Sequence, residues 1–96
     1  MSGLPIHKFR LYIAGGTLNS VQAVANLTAL CRAYLPEQYE IELVDVFRNP
    51  KRALDDRILM TPTLVKLEPS PSGRIIGNLS QTQFVLHALG LATSSV

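Results

Sequence analysis

Met60-Thr61-Pro62-Thr63-Leu64-Val65-Lys66 decides how this chain of 96 residues folds. Thr63 to Leu67 reads as a short apolar strand, and Pro62 stands directly in front of it. Proline fixes its own φ and has no amide to give to a sheet ladder, so a proline opening an apolar strand calls for a physical reason. A cis Thr61–Pro62 bond at a sheet edge fits best, because proline is the residue that tolerates a cis peptide. Upstream, a first strand runs into Gly15-Gly16 and is followed by Thr17-Leu18-Asn19-Ser20. Hydroxyls at those positions form no disulfide and supply no reactive thiolate at neutral pH.

The elements fall into place around this stretch. Phe9 to Ala14 alternates bulky apolar and polar side chains, as a strand does. The period then changes. Val21, Val24, Leu27 or Thr28, Cys31 and Tyr34 recur at three-to-four spacing, joined by Ala23 and Leu30, which predicts a helix from about Asn19 to Leu35. Thr17, Asn19 or Ser20 supplies its cap, and Pro36 ends it. Tyr39 to Phe47 is a second strand with Glu40 and Glu42 facing water at its entry; its half from Leu43 to Phe47 is more continuously apolar, as expected of a strand covered on both faces.

Asn49-Pro50 starts a second helix, with Asn49 as cap, running to about Leu59 and burying Ala53, Leu54, Ile58 and Leu59. Glu68-Pro69-Ser70-Pro71-Ser72-Gly73 is a turn, and Arg74 to Gly77 a fourth strand. Ser80-Gln81-Thr82-Gln83 matches a capping box, with Ser80 as cap, before the apolar run Phe84, Val85, Leu86, Leu89. Gly90 is expected to fray that helix. The order is β-α-β-α-β-β-α, an α/β chain with a parallel crossover at its start and an antiparallel hairpin near its end. One domain over 1–96 is expected, with its core between 8 and 91 and a loose tail at 92–96.

Composition narrows the function. The apolar share of 47% is ordinary, but the charged share of 17% is low, which raises the expectation of a partner surface or self-association. A net charge of +2 with scattered Lys and Arg argues against nucleic acid. Met1 to His7 carries Pro5 and no long apolar stretch, so it does not read as a signal peptide, and no run is long enough to span a bilayer. The single cysteine, Cys31, leaves no internal disulfide and fits a reducing cytoplasm.

No residue stands out as catalytic or as a metal ligand, and no cofactor is implied. Cys31 lies on the helical stripe and reads as a small core hydrophobe. A monothiol or glutathione-handling enzyme would need it exposed. His7 and His87 have no partners at metal-ligand spacing. Asp55-Asp56 beside Arg57 reads as a solvated helix face, and Gly15-Gly16 lacks the rest of a nucleotide-binding fingerprint.

The element order and the Thr-Pro-Thr resemble thioredoxin-like proteins, whose redox members carry Cys-x-x-Cys where this chain has Thr17-Leu18-Asn19-Ser20. More specifically, several runs resemble the KaiB family of cyanobacterial clock proteins: Leu11-Tyr12-Ile13-Ala14-Gly15, Asn19-Ser20, Val44-Asp45-Val46, Asn49-Pro50, Ile58-Leu59, Thr61-Pro62-Thr63-Leu64 and Arg74-Ile75-Ile76-Gly77-Asn78-Leu79-Ser80. The resemblance spans about Phe9 to Leu91 without a gap.

It implies a non-catalytic regulator of circadian rhythm that binds the N-terminal ring of KaiC, a hexameric ATPase and autokinase, with KaiA or a sensor histidine kinase as further partners. It also implies two folds: a monomeric thioredoxin-like form that binds the ring, and a resting form, β-α-β-β-α-α-β, that self-associates as a tetramer or dimer. By the same resemblance Arg57, Lys66 and Arg74 match basic positions expected to touch a partner. Gln22 and Glu42 replace other basic positions, which weakens the case for a KaiA-type contact. Ala88 and Gly90 stand where cyanobacterial members usually carry Gly and Asp, the turn at 69–73 is less proline-rich, and an acidic tail is missing, which together suggest a divergent or non-cyanobacterial member. The alternative reading is a thioredoxin-like sensor or adaptor domain working with a histidine kinase in stress signalling.

Overall fold

The structure, a computed structural model, describes residues 6–91; the tail expected at 92–96 lies outside them. Seven elements follow in the expected order: β1 (His7–Ile13), α1 (Leu18–Tyr34), β2 (Tyr39–Asp45), α2 (Pro50–Asp55), β3 (Thr63–Glu68), β4 (Gly73–Ile76) and α3 (Thr82–Ala88). The strands form one sheet in the order β2-β1-β3-β4. β1 runs parallel to β2, with Leu11 opposite Leu43, and antiparallel to β3, with Leu11 opposite Leu64. The β3–β4 hairpin sets Leu64 opposite Ile75.

Alternation along the strands makes two apolar faces. On one, Phe9, Leu11, Leu64 and Ile75 pack with Ala23, Leu27, Leu30 and Cys31 of α1 and with Val85 and Leu86 of α3. On the other, Tyr12, Val44 and Val65 meet Ala53 of α2. This is a thioredoxin-like arrangement of a mixed sheet between helices.

Several expectations are corrected. β2 is an edge strand, so its last half is not covered on both faces: Leu43 is 49% exposed, and Val46 and Phe47 fall past the strand in a turn. The buried stripe of α1 is Ser20, Ala23, Leu27, Leu30 and Cys31, rotated from the expected one, which leaves Val21 and Tyr34 exposed. α2 stops at Asp55, well before Leu59, and buries Ala53 alone, with Leu54 and Leu59 exposed. Phe84 of α3 is likewise exposed.

The expected caps differ too. Thr17 and Asn49 hold the N-cap positions of α1 and α2 without a side-chain capping bond, and Gln81, not Ser80, precedes α3. Asn19 is exposed inside the first turn of α1, and Ser20 is buried against the β1–α1 connection. The Thr61–Pro62 peptide is cis, but it leads into β3, an interior strand, so the expected sheet edge is absent.

Gly90 does not fray α3. Its φ of +74° forms the left-handed turn of a Schellman motif, in which its own amide donates to the His87 carbonyl at 3.1 Å and the Leu91 amide to the Leu86 carbonyl at 2.8 Å. α2 ends the same way, with the Arg57 amide donating to Leu54 (3.1 Å) and Ile58 to Ala53 (2.8 Å), and here the left-handed residue is Arg57, at φ +56°.

Candidate partner-docking surface

The three basic residues expected at a partner surface separate into two kinds. Lys66, on β3, is only 6% exposed, and its ammonium donates to the Leu89 carbonyl at 3.0 Å. It thereby satisfies the carbonyl end of α3, where the helix dipole favours a cation. Arg74, on β4, does the same for α2: its guanidinium donates to the carbonyls of Asp56 and Arg57 and, at 3.1 Å, to Asp56 Oδ1. Both therefore anchor helices within the fold. Arg57 differs. Its side chain is exposed and makes no ion pair among the described residues, and its backbone sits in a conformation that costs a non-glycine residue roughly 1–2 kcal/mol.

Arg57 borders an apolar end of the molecule. Val46, Ala53, Ile58, Leu59, Met60 and Thr61 line a concavity of about 180 Å³. Leu59 and Met60 expose 92% and 60% of their surface there, and Phe47, 73% exposed and next to Val46 in sequence, flanks Gly15 at the mouth of β1. Around Gly15 a second shallow depression of about 340 Å³, lined by Ile13, Ser20, Val21, Val24 and Ala25, carries apolar surface on to α1. Exposed large side chains gathered this way mark an interaction surface more often than chance scatter.

The hydroxyls that stand in the place of thiols form a pair. Thr17 Oγ1 donates to Ser20 Oγ at 2.9 Å, and the same Ser20 oxygen accepts the Ala14 amide at 3.0 Å. They fix the turn from β1 into α1 and carry no redox chemistry. Cys31 is fully buried, and burial pushes its thiol up to about 11, so it holds no thiolate at neutral pH. No three His, Cys, Asp or Glu among the described residues are placed to hold a metal ion. No helix there is long and apolar enough to cross a membrane.

Sequence reasoning missed an ionic cluster on the α2 face. Glu42 accepts Arg10 Nε at 2.8 Å and meets Arg52 at 2.8 Å, and these two guanidiniums, Arg52 first, hold its carboxyl down to about 2. Tyr12 donates to Asp56 Oδ2 at 2.8 Å; burial, with that bond, raises the tyrosine pKa. Of the Asp55-Asp56 pair, only Asp55 is the solvated group expected, bonded to Lys51 at 2.9 Å. Asp56 turns to the sheet. The sequence signal was the three-residue offset between Arg52 and Asp55 and the four-residue offset to Asp56, which place Arg52 and Asp56 on one helical side. Gln22 is engaged as well, accepting Asn78 Nδ2 at 3.0 Å.

The mixed sheet between helices defines a thioredoxin-like α/β domain, with the hydroxyls of Thr17 and Ser20 at the turn from β1 into α1 and exposed apolar side chains at one end. The family model described as KaiB domain matches residues 10–91, and the chain belongs to the KaiB family of circadian clock proteins. It is 45% identical over 82 residues to the circadian clock protein KaiB3 of Synechocystis sp. (strain PCC 6803), covering 85% of this chain and 80% of that one. It is 42% identical over 91 residues to the circadian clock oscillator protein KaiB of Synechococcus elongatus, covering 95% and 89%. Among solved structures, the N-terminal domain of SasA from Synechococcus elongatus superposes with a TM-score of 0.66 at 20% identity, covering 100% of this chain and 94% of that one. Mitochondrial thioredoxin 3 from Saccharomyces cerevisiae gives 0.71 at 22% identity, covering 91% and 80%. These two likenesses speak to the fold alone.

Proposed function

We propose that this chain is a cytoplasmic, non-catalytic clock or timing regulator that docks on the N-terminal ATPase ring of a KaiC-type ATPase and autokinase. The observation that carries the reading is the exposed apolar surface of Leu59 and Met60 at the concavity lined by Val46 and Ile58, with exposed Phe47 and Arg57 next to those two in sequence. Arg57 sits in a conformation better suited to glycine, a local cost that contact with a partner would justify. Phe47 and Leu59 supply buried area on docking and Arg57 the charged contact; Lys66 and Arg74 act indirectly by holding α3 and α2 in place. Glu42, held by Arg10 and Arg52, is not free for a KaiA-type contact.

The reading includes a second, resting fold, β-α-β-β-α-α-β, that self-associates as a tetramer or dimer. Gly90 lies past the end of α3 while Ala88 lies within it, so the helix gains from the alanine without a glycine in its interior, a bias of roughly 1 kcal/mol toward the thioredoxin-like form. A single set of amide resonances, unchanged by dilution and temperature, would count against two folds. The test of the function is a pull-down with a KaiC-type ring in ATP and in ADP, followed by sizing. Nucleotide-dependent binding of monomers is expected, weakened about tenfold or more by Leu59→Ser. Absence of binding in every nucleotide state sinks the ring reading. The alternative, a sensor or adaptor domain working with a histidine kinase, then moves forward.

A further inference from the structure

The two faces of the sheet are covered by different means. α1 buries Ala23, Leu27, Leu30 and Cys31, and α3 buries Val85 and Leu86, so both are held by apolar area. Over residues 47–61, which contain α2, only Ala53 is buried. Ala53, with Ile58 half-buried against the same cluster, is little apolar area to hold fifteen residues in place.

What ties this segment down is charge. Arg52 meets Glu42 of β2 at 2.8 Å. Asp56 takes the Tyr12 hydroxyl at 2.8 Å, Arg74 at 3.1 Å and Arg10 at 3.7 Å. These side-chain links between the segment and the sheet end on Arg52 or Asp56, Arg74 also donating to the Arg57 carbonyl at 3.3 Å, while the Lys51–Asp55 pair ties the helix only to itself. The links surround an open depression of about 320 Å³ lined by Arg10, Tyr12, Arg52, Asp55 and Asp56, so water and salt reach them. Beneath lie Tyr12, Val44 and Val65, all buried.

We propose that α2 is a strap fastened by charge, able to lift off the Tyr12–Val44–Val65 face while the sheet, α1 and α3 stay folded. A six-residue helix is too short to persist alone, so on release it unravels, and the apolar face below becomes a surface that the closed form does not offer. The bends at either side, at Asn49 and at the left-handed Arg57, are the places where the chain turns out. This inference stands on the contacts alone and needs no particular partner.

Native-state hydrogen exchange on the whole chain tests it. The reporters are the amides of Ala53, Asp56 and Ile58, each bonded within the segment, against amides of β1 and β3. Between about 0.05 and 1 M NaCl the Debye length shrinks several-fold, and exchange in the segment should rise about tenfold or more with the strands unchanged. Asp56→Asn and Glu42→Gln should have the same effect at low salt, whereas Asp55→Asn should not. Segment amides that open only together with the strands at every salt concentration overturn the proposal. So does an Asp56→Asn chain that exchanges like Asp55→Asn. If Asp56→Asn fails to fold, the links hold the whole domain and the strap is again refuted; the salt series on the unaltered chain decides independently.

Discussion

Lys66 and Arg74 illustrate how far a side chain's role depends on where its end group lands. Both are basic residues on adjacent strands, and both deliver their charge to the carbonyl end of a helix, Lys66 to α3 and Arg74 to α2. Replacing Lys66 by Met keeps most of the packing and leaves the Leu89 carbonyl without its donor. A buried orphan acceptor costs about 1–3 kcal/mol, and chemical denaturation should read a loss in that range. His7 supplies a second prediction. Burial, with Lys66 nearby, lowers its pKa from 6.5 in the folded chain. A group depressed in this way contributes stability that is full above the unfolded value and lost as pH falls through the folded one. Stability should therefore decline as pH drops below about 6.5, and His7→Gln should flatten that part of the profile.

At the scale of elements, the order and type of every strand and helix were legible, because the apolar period shifts from two to 3.6 and back with Gly and Pro at the joints. The phase of α1 was not. Hydrophobicity alone enlists Val21, whereas the residue turned inward is Ser20, whose oxygen takes the Ala14 amide and the Thr17 hydroxyl. The end of α2 was hidden because its terminator is an arginine where glycine is the usual signal. Conversely, Gly90 reads in the sequence as a weakness and is the stop itself. The candidate surface was legible only in part: Arg57 is available to a partner, but the exposure of Phe47 and Leu59 follows from α2 ending at Asp55. These terminators predict opposite effects. Gly90→Ala forces an alanine to φ +74° and should destabilise by about 1 kcal/mol, while Arg57→Gly should stabilise by a similar amount, both read from thermal melts.

For the whole molecule, the balance lies between few charges and a concentrated apolar end. Much of the charge is spent internally: Glu42, Asp56, Arg10, Arg52 and Arg74 face one another and leave less to repel a neighbouring copy. Leu59→Ser with Met60→Ser should reduce concentration-dependent self-association in sedimentation runs. Both side chains are exposed, so unfolding free energy should stay within about 0.5 kcal/mol.

β1 has a position in the sheet at odds with its position in the chain. It precedes the other described strands in the chain, and it lies between β2 and β3. A nascent chain emerging from the ribosome can pair β1 with β2 once residue 45 is out, but the other edge of β1 waits for Thr63–Glu68. During that interval Phe9 and Leu11 lack the strand that will flank them, and a free ladder of amides and carbonyls is open to solvent. A truncation or stalled message ending before Thr63 would leave a sticky two-stranded fragment, the kind of species chaperones hold and proteases clear. Synthesis must pass Glu68 before β1 is flanked on both sides.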